Sequence, residues 1–426
     1  MSLSEDFLYY IWQFRLFNTL RLFCVNGEAL EVLKPGILNR DAGPDFSYAR
    51  IQIGDTLWAG NVEIHLRASD WELHGHHKNK AYDSVILHVV YEYDKPVYRQ
   101  SGVEVPVLVL KDLINPDLWD KYILMIAGRT AFPCQQQIGA VNQITVNGFL
   151  SRLLAERMEQ KSKEVLEVLD RLKGDWNETF YRFLCRNFGF KINALPFEML
   201  AASLPQQLLG KHTDQPIQVD ALLFGQAGFL QQDFNEEYPS LLKTEYQFLA
   251  SKYGIKNIDA SVWKFLRTRP QSFPTLRIAQ LSALLRKSNH LFSSVLEVDN
   301  LEQLYLLFGD IQVHEYWLRH YHFNKPASEV NLQLGRQSVC NILINTVCLF
   351  LFSYGKYMDQ QVFLDRALDF LEAIPAEKNA IITSYSSYGV LPGNAFFSQA
   401  ILQLNKCYCS QKKCLNCGIG IKILNR

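Results

Sequence analysis

The chain has 426 residues, 48% hydrophobic and 13% aromatic, enough length and apolar content for two or three folded units. Its 43 Lys plus Arg balance 43 Asp plus Glu, so no chain-wide field draws nucleic acid or an anionic membrane, and a polyanion site has to be a local patch. Glu5 and Asp6 stand where a signal peptide needs basic residues, and the most apolar run, 347–352, is too short to span a bilayer; the expectation is a cytoplasmic protein with no membrane partner and nine reduced cysteines.

Residues 5–18 spread their apolar positions at helical spacing, which predicts a first helix with Ser4 as its cap. From about 30 to 110 the pattern changes to short β-branched and apolar runs (30–33, 49–53, 57–66, 85–93, 103–110) broken by Gly, Pro and Asp, a mixed sheet of about five strands. In the third run Val62, Ile64 and Leu66 alternate with Glu63 and His65, so one face is buried and an acid and an imidazole stand side by side on the other. The run 84–93 is nearly continuous in apolar content, as for a central strand, and carries His88 and Glu92 on one side. Residues 116–145, with Pro116, Pro133 and Cys134, read as a connector.

Beyond it, Leu150, Leu153, Leu154, Met158, Val165, Leu169 and Leu172 recur at three- and four-residue steps until Gly174, predicting a long amphipathic helix over 146–172. Further helices are expected around 176–187, 196–203, 217–231, 240–252, 260–267, 275–287, 300–308, 313–321, 335–353, 359–372 and 394–406. The fold class is α+β, with α/β as the alternative: a sheet unit (1–115), a connector (116–145), an all-helical unit (146–406) and a cysteine-rich tail (407–426).

Five of the ten histidines fall between positions 65 and 88, after the Gly43-Pro44-Asp45 turn and beginning in the strand-like run 60–66. A carboxylate at one strand start and a Glu-x-base pair on the next strand can hold a divalent cation through oxygen and set a base beside its water. Pro44-Asp45 followed by Glu63-Ile64-His65 resembles the PD-(D/E)XK motif of restriction-endonuclease-like nucleases over about residues 5–110. That resemblance implies magnesium or manganese on Asp45 and Glu63 and cleavage of DNA or RNA. The family lysine that helps activate water is His65 here, which acts as a base or a ligand but supplies no permanent cation. The plainer alternative is that Asp45 caps a turn and that Glu63 and His65 form a hydrogen-bonded pair on a half-exposed sheet, worth about 1 kcal/mol. His74, His76 and His77 lie in a loop that either folds over the same face and adds ligands for zinc or stays solvated. His88, on a central strand, reads as a satisfied core histidine.

Cys407, Cys409, Cys414 and Cys417 crowd the tail. Cys414-x-x-Cys417-Gly418 is a half-site for zinc, with thiolates at about 2.3 Å. Alternatively Cys407, Cys414 and Cys417 have the spacing of the first three iron-sulfur ligands of the endonuclease III type, with Ile423 in fourth place and Cys134 the distant substitute. Thiols without metal are the third reading. Arg267, Arg269 and Arg277 alternate with Trp263, Phe265 and Phe273, a pattern that clamps phosphates or stacks bases, or else anchors an interhelical turn. The run from Phe224 to Phe229 carries Gly225 and Gly228 but no phosphate-loop lysine, so it predicts close helix packing.

Taken together, Ala42-Gly43-Pro44-Asp45-Phe46, the 60–65 strand, Ser69-Asp70-Trp71, the histidine loop, Arg269-Pro270, Phe273-Pro274 and Cys409, Cys414 and Cys417 resemble a bacterial family built on domain of unknown function 2851. This implies a shared architecture and no reaction. Three functions follow from the residues: a metal-dependent nuclease or phosphodiesterase on Asp45, Glu63 and His65; a non-catalytic nucleic-acid or protein scaffold with a degenerate nuclease-like unit; and a zinc-dependent hydrolase on the histidine cluster.

Overall fold

The computed structural model describes residues 3–426 apart from 40, 129, 267 and 289, and the chain forms two compact units. The first comprises the chain up to Phe149 with Ser387–Val390 and Leu404–Arg426; the second comprises Leu150–Ser386 and Leu391–Gln403. The tail therefore belongs to the sheet unit and is not a separate segment.

Helix α1 (Glu5–Gln13) buries Phe7, Leu8, Ile11 and Trp12. It begins on the Ser4 carbonyl, which accepts from the Phe7 and Leu8 amides, and not on the Ser4 side chain. It ends five residues before the expected stop because Arg15 takes a left-handed conformation, φ 52°, and the chain reverses there.

A seven-stranded mixed sheet follows, made of β1 (Leu22–Phe23), β2 (Ala29–Lys34), β3 (Ile37–Leu38), β4 (Phe46–Ile53), β5 (Thr56–Arg67), β6 (Val85–Glu92) and β7 (Val107–Val109). The order is β1-β2-β4-β5-β6-β7, with β3 also paired to β4. Strands β2, β4 and β5 are antiparallel neighbours, whereas β6 runs parallel to both β5 and β7. A tight turn through Gly54, φ 55°, joins β4 to β5. The parallel pair needs a crossover, supplied by α2 (Asp70–Leu73) and two 3-10 turns, His76–Lys78 and Lys80–Ser84. Trp71 and Tyr82 from this crossover pack with Val85, Val90, Val97, Val105 and Val107. That cover corrects the half-exposed sheet: Val62, Glu63, Ile64 and His65 are all buried.

The expected connector holds a helix, α3 (Pro116–Ala127). Asn115 caps it by accepting from the Asp117 amide, and Pro116 occupies the first position, where a missing N–H costs nothing. Helix α4 (Gln143–Arg171) is the long amphipathic element the periodicity predicts.

The second unit is helical. Helices Pro216–Gln226 and Glu237–Tyr253 pack so closely that a Cβ on Gly225 would lie 2.0 Å from the Tyr246 ring, which explains the small residue there. The helix expected at 260–267 shrinks to a 3-10 turn, Ala260–Val262. Tertiary bonds take its place: the Asn193 amide grips both Lys264 N and O at 2.8 Å, and Trp263 Nε1 donates to Ala227 O. Residues 313–321 form a 3-10 turn, Glu315–Arg319, and a short strand, His320–His322, instead of a helix. Arg336–Tyr357 is one run of 22 residues, mean hydropathy 1.6, long and apolar enough to cross a membrane, and 72% of its apolar window is buried inside the fold. The apolar stretch is thus longer than the sequence suggests.

Candidate functional site

The site grows from one turn and two strands. Gly43, at φ 113°, turns the chain into Pro44 and Asp45, and Asn39 fastens the turn by donating its amide to Asp45 O (2.7 Å) and its side chain to Pro44 O (3.1 Å). The β4–β5 register slips between Phe46 and Ala49, with Tyr48 left-handed at φ 61°. Such a bulge re-aims the start of its strand. Here Asp45 N donates to Glu63 Oε2 at 3.0 Å, Ile64 N donates to Asp45 Oδ2 at 2.9 Å, and Tyr9 OH, from α1, donates to Asp45 Oδ1 at 2.9 Å. Each of the two carboxyl groups singled out by the sequence therefore accepts a backbone amide from the segment that carries the other.

His65 joins them from the same face of β5. Its Nε2 lies 3.6 Å from Glu63 Oε1 and 3.1 Å from His74 Nδ1, and its Nδ1 lies 2.8 Å from His88 Nε2. A neutral imidazole has one N–H, so His65 donates to one of these neighbours and accepts from the other. His76 Nε2 comes within 3.0 Å of Glu63 Oε1 yet makes no aligned hydrogen bond, while its ring stacks on Tyr82 at 3.8 Å. Trp71 closes the edge, its indole N–H tied to Tyr98 O.

Gly75, at φ 77°, lets the chain reverse between His74 and His76 so that both rings point to one place. Among the described residues, His65, His74 and His76 each offer a nitrogen within 4.8 Å of the other two. Glu63 Oε1 lies at the edge of this group, 3.0 Å from His76 Nε2 and 3.6 Å from His65 Nε2, and three imidazole nitrogens this close have the chemistry that suits zinc or another divalent transition metal. It is less suited to magnesium, which takes oxygen ligands. His77 is not in the group.

Burial governs the protonation of the enclosed members. It raises the Asp45 carboxyl to about 7, with Glu63 adding to the effect, and raises Glu63 to about 7 as well. It lowers His76, lowers His88 to about 3, and lowers His65 further, with His88, His76 and His74 adding repulsion. The phenol of Tyr9 is pushed above its usual range by burial and then by Asp45. Burial therefore favours neutral His65, His76 and His88, the form of an imidazole that binds metal, and makes the two carboxyl groups reluctant to ionise without a cation.

Sequence reasoning missed Tyr9, which looks like any aromatic of an amphipathic helix, and set His88 aside as a core residue. The parallel register that pairs Glu63 with His88 is what brings the latter to His65. Glu92, on the same strand, instead pairs with Lys111.

The tail is compact. Lys412 and Lys413 amides bond back to Cys409 O and Tyr408 O, Cys414 opens a 3-10 turn, and Cys417 bonds to Cys414 O before the helix Gly418–Leu424. Cys134, Cys414 and Cys417 are buried. The Cys134 thiol is pushed up by burial and by the charges of Cys409, Cys417 and Cys414, with Cys407 not among these, yet among the described residues no three cysteines bring their sulfurs within 4.8 Å of one another. Of the arginines, Arg267 lies outside the described residues and Arg269 is exposed. Arg277, only 6% exposed, presents no surface to a nucleic acid, which corrects that expectation.

The profile of a family described as Protein of unknown function (DUF2851) matches residues 5–380. No curated protein and no solved structure matches the chain.

Proposed function

Because the chain belongs to that family, whose description carries no activity, we propose a function from its own side chains: a hydrolase of phosphodiesters working with a divalent transition metal held by Glu63, His65, His74 and His76. The observation that carries this reading is the buried pair His76 Nε2 and Glu63 Oε1, 3.0 Å apart with no aligned hydrogen bond, beside two further imidazole nitrogens. Bound there, such an ion lowers the pKa of a water and polarises a phosphoryl oxygen. His88 orients His65 through its other ring nitrogen, as outer partners of metal-binding histidines do. Asp45, locked by Tyr9 and the Ile64 amide and poised near neutrality, has the proton affinity of a general base at physiological pH. The phosphodiester substrate rests on the nuclease-like order of Asp45 and Glu63-Ile64-His65 at the start of one strand and along the next.

The test is elemental analysis of the purified chain together with hydrolysis of bis(p-nitrophenyl) phosphate, single-stranded DNA and RNA under zinc, manganese and magnesium. The expected result is one ion at this site and turnover that Glu63→Gln abolishes. Intact substrates under all three metals overturn it.

One observation favours a second reading, a binding or scaffold protein: Glu63 and His65 are only 4% and 2% exposed, little room for a substrate. On that reading the ion binds and stabilises, with no turnover.

At the tail, the thiols of Cys409, Cys414 and Cys417 act on that of Cys134, but among the described residues no three cysteines bring their sulfurs within 4.8 Å of one another, which favours thiols without metal. Elemental analysis that finds zinc or iron lost in Cys414→Ser and kept in His76→Ala overturns that reading.

A further inference from the structure

The second unit contains a cavity of about 590 Å³ whose lining includes Arg277, Arg336 and Lys378. Arg277 comes from the helix Pro274–Lys287 and is 6% exposed. Its Nη1 donates to Gln280 Oε1 at 3.0 Å and its Nη2 to Ser338 Oγ at 3.2 Å, both neutral acceptors, and its plane lies 4.6 Å over the Phe190 ring. Its Nε is buried with no hydrogen-bond partner. Among the described residues no carboxylate forms an ion pair with it. A buried guanidinium satisfied only by an amide, a hydroxyl and an aromatic face is an incomplete arrangement, because its fixed fork of donors matches an oxyanion.

The surroundings repeat the same sign. Arg336 opens the 22-residue helical run that ends at Tyr357, so the cavity also borders a helix N-terminus, where backbone amides and the dipole favour negative charge. The one acid in the lining, Glu377, is turned away: its Oε2 accepts from Ser398 Oγ and Gln399 Nε2. Three cations against one engaged carboxylate leave the space electropositive, while Phe190, Ile344 and Pro375 give it apolar walls. Charged and polar side chains set among apolar walls in a cavity of several hundred cubic ångström suit a small polar molecule.

We infer that this cavity binds a small organic anion through a carboxylate or phosphate group seated on Arg277, with Arg336 and Lys378 closing on it. The burial that lowers the Arg277 pKa to about 10, with no acidic neighbour offsetting it, agrees. This site is independent of the metal reading and survives its failure.

The experiment is a thermal melt of the full chain titrated with inorganic phosphate, with citrate, and with sodium chloride at matched ionic strength. The expected result is a saturable rise in melting temperature with phosphate or citrate and none with chloride. A response to phosphate alone assigns a phosphate ester, and a response to citrate alone assigns a carboxylate. Lys378→Gln and Arg336→Gln, both outside the buried core, each weaken the apparent affinity roughly tenfold. Arg277→Gln abolishes the response; should that variant fail to fold, the Arg336 and Lys378 variants decide alone. No saturable rise with either anion, or a rise unchanged in those two variants, overturns the inference.

Discussion

His76 Nε2 and Glu63 Oε1 stand 3.0 Å apart inside the protein without sharing an aligned hydrogen bond. Leaving buried polar atoms in that state costs on the order of 1–3 kcal/mol, a cost that a cation bridging them removes. Folding of the sheet unit and metal binding are therefore linked, and the link can be measured.

Zinc or manganese at about a hundred times its dissociation constant stabilises the chain by roughly 2.7 kcal/mol, a rise of roughly 5–10 °C in the melting transition of the sheet unit. His76→Ala removes most of that rise, and His77→Ala, outside the cluster, leaves it intact. Melts that are the same with and without metal reject the site.

His88 has no direct part in the donor set and acts through His65, 2.8 Å away. His88→Gln, which keeps a hydrogen-bonding side chain in the core, is expected to lower metal affinity less than His88→Ala, for which a loss of roughly 10–100-fold applies. Competition with a chelating dye reads both values. Equal affinity in wild type and His88→Ala means that His88 merely fills space.

Half of this site is legible in the sequence and half is not. Asp45 and Glu63-x-His65 stand out because strand alternation fixes which residues share a face, and the Pro-Asp turn marks a strand start. The cover over that face is illegible: nothing in the 70–84 pattern says that Trp71 and Tyr82 fold back and bury Glu63. His76 and His77 look equivalent until the left-handed Gly75 decides which ring turns inward. Register in a parallel pair is a long-range property, so His88 next to Glu63 is beyond local pattern. The same limit explains α3, where Pro116 reads as a loop marker although Asn115 makes it a helix start.

The carboxyl pair sets the pH dependence. Burial favours the protonated forms of Asp45 and Glu63 and raises both to about 7. A cation on Glu63 has to displace the Glu63 proton, so affinity is full above about pH 7 and falls as the pH drops through it, by up to roughly tenfold per unit, with Asp45 acting only through its charge. His65 and His88, shifted down by burial, stay neutral across this window and add nothing to the slope. Calorimetric titrations at pH 5, 6, 7 and 8 check the sign. A fall that begins only near pH 4, where ordinary carboxylates titrate, shows that the two groups are not desolvated together.

Gly75 tests whether the loop is held in place by its backbone. At φ 77° with nothing within 4 Å of where a Cβ would stand, a substitution there meets no clash and pays only the conformational cost of the left-handed region. That cost is roughly 1–2 kcal/mol for alanine and smaller for asparagine, which tolerates this region. Gly75→Ala is expected to lower stability by about 1 kcal/mol and also to weaken metal binding, because the turn it relaxes carries His74 on one side and His76 on the other. Gly75→Asn recovers most of both. Chemical denaturation and metal titration of the two variants measure this directly, and an alanine variant that binds metal as tightly as wild type shows that the turn does not set the positions of the flanking imidazoles.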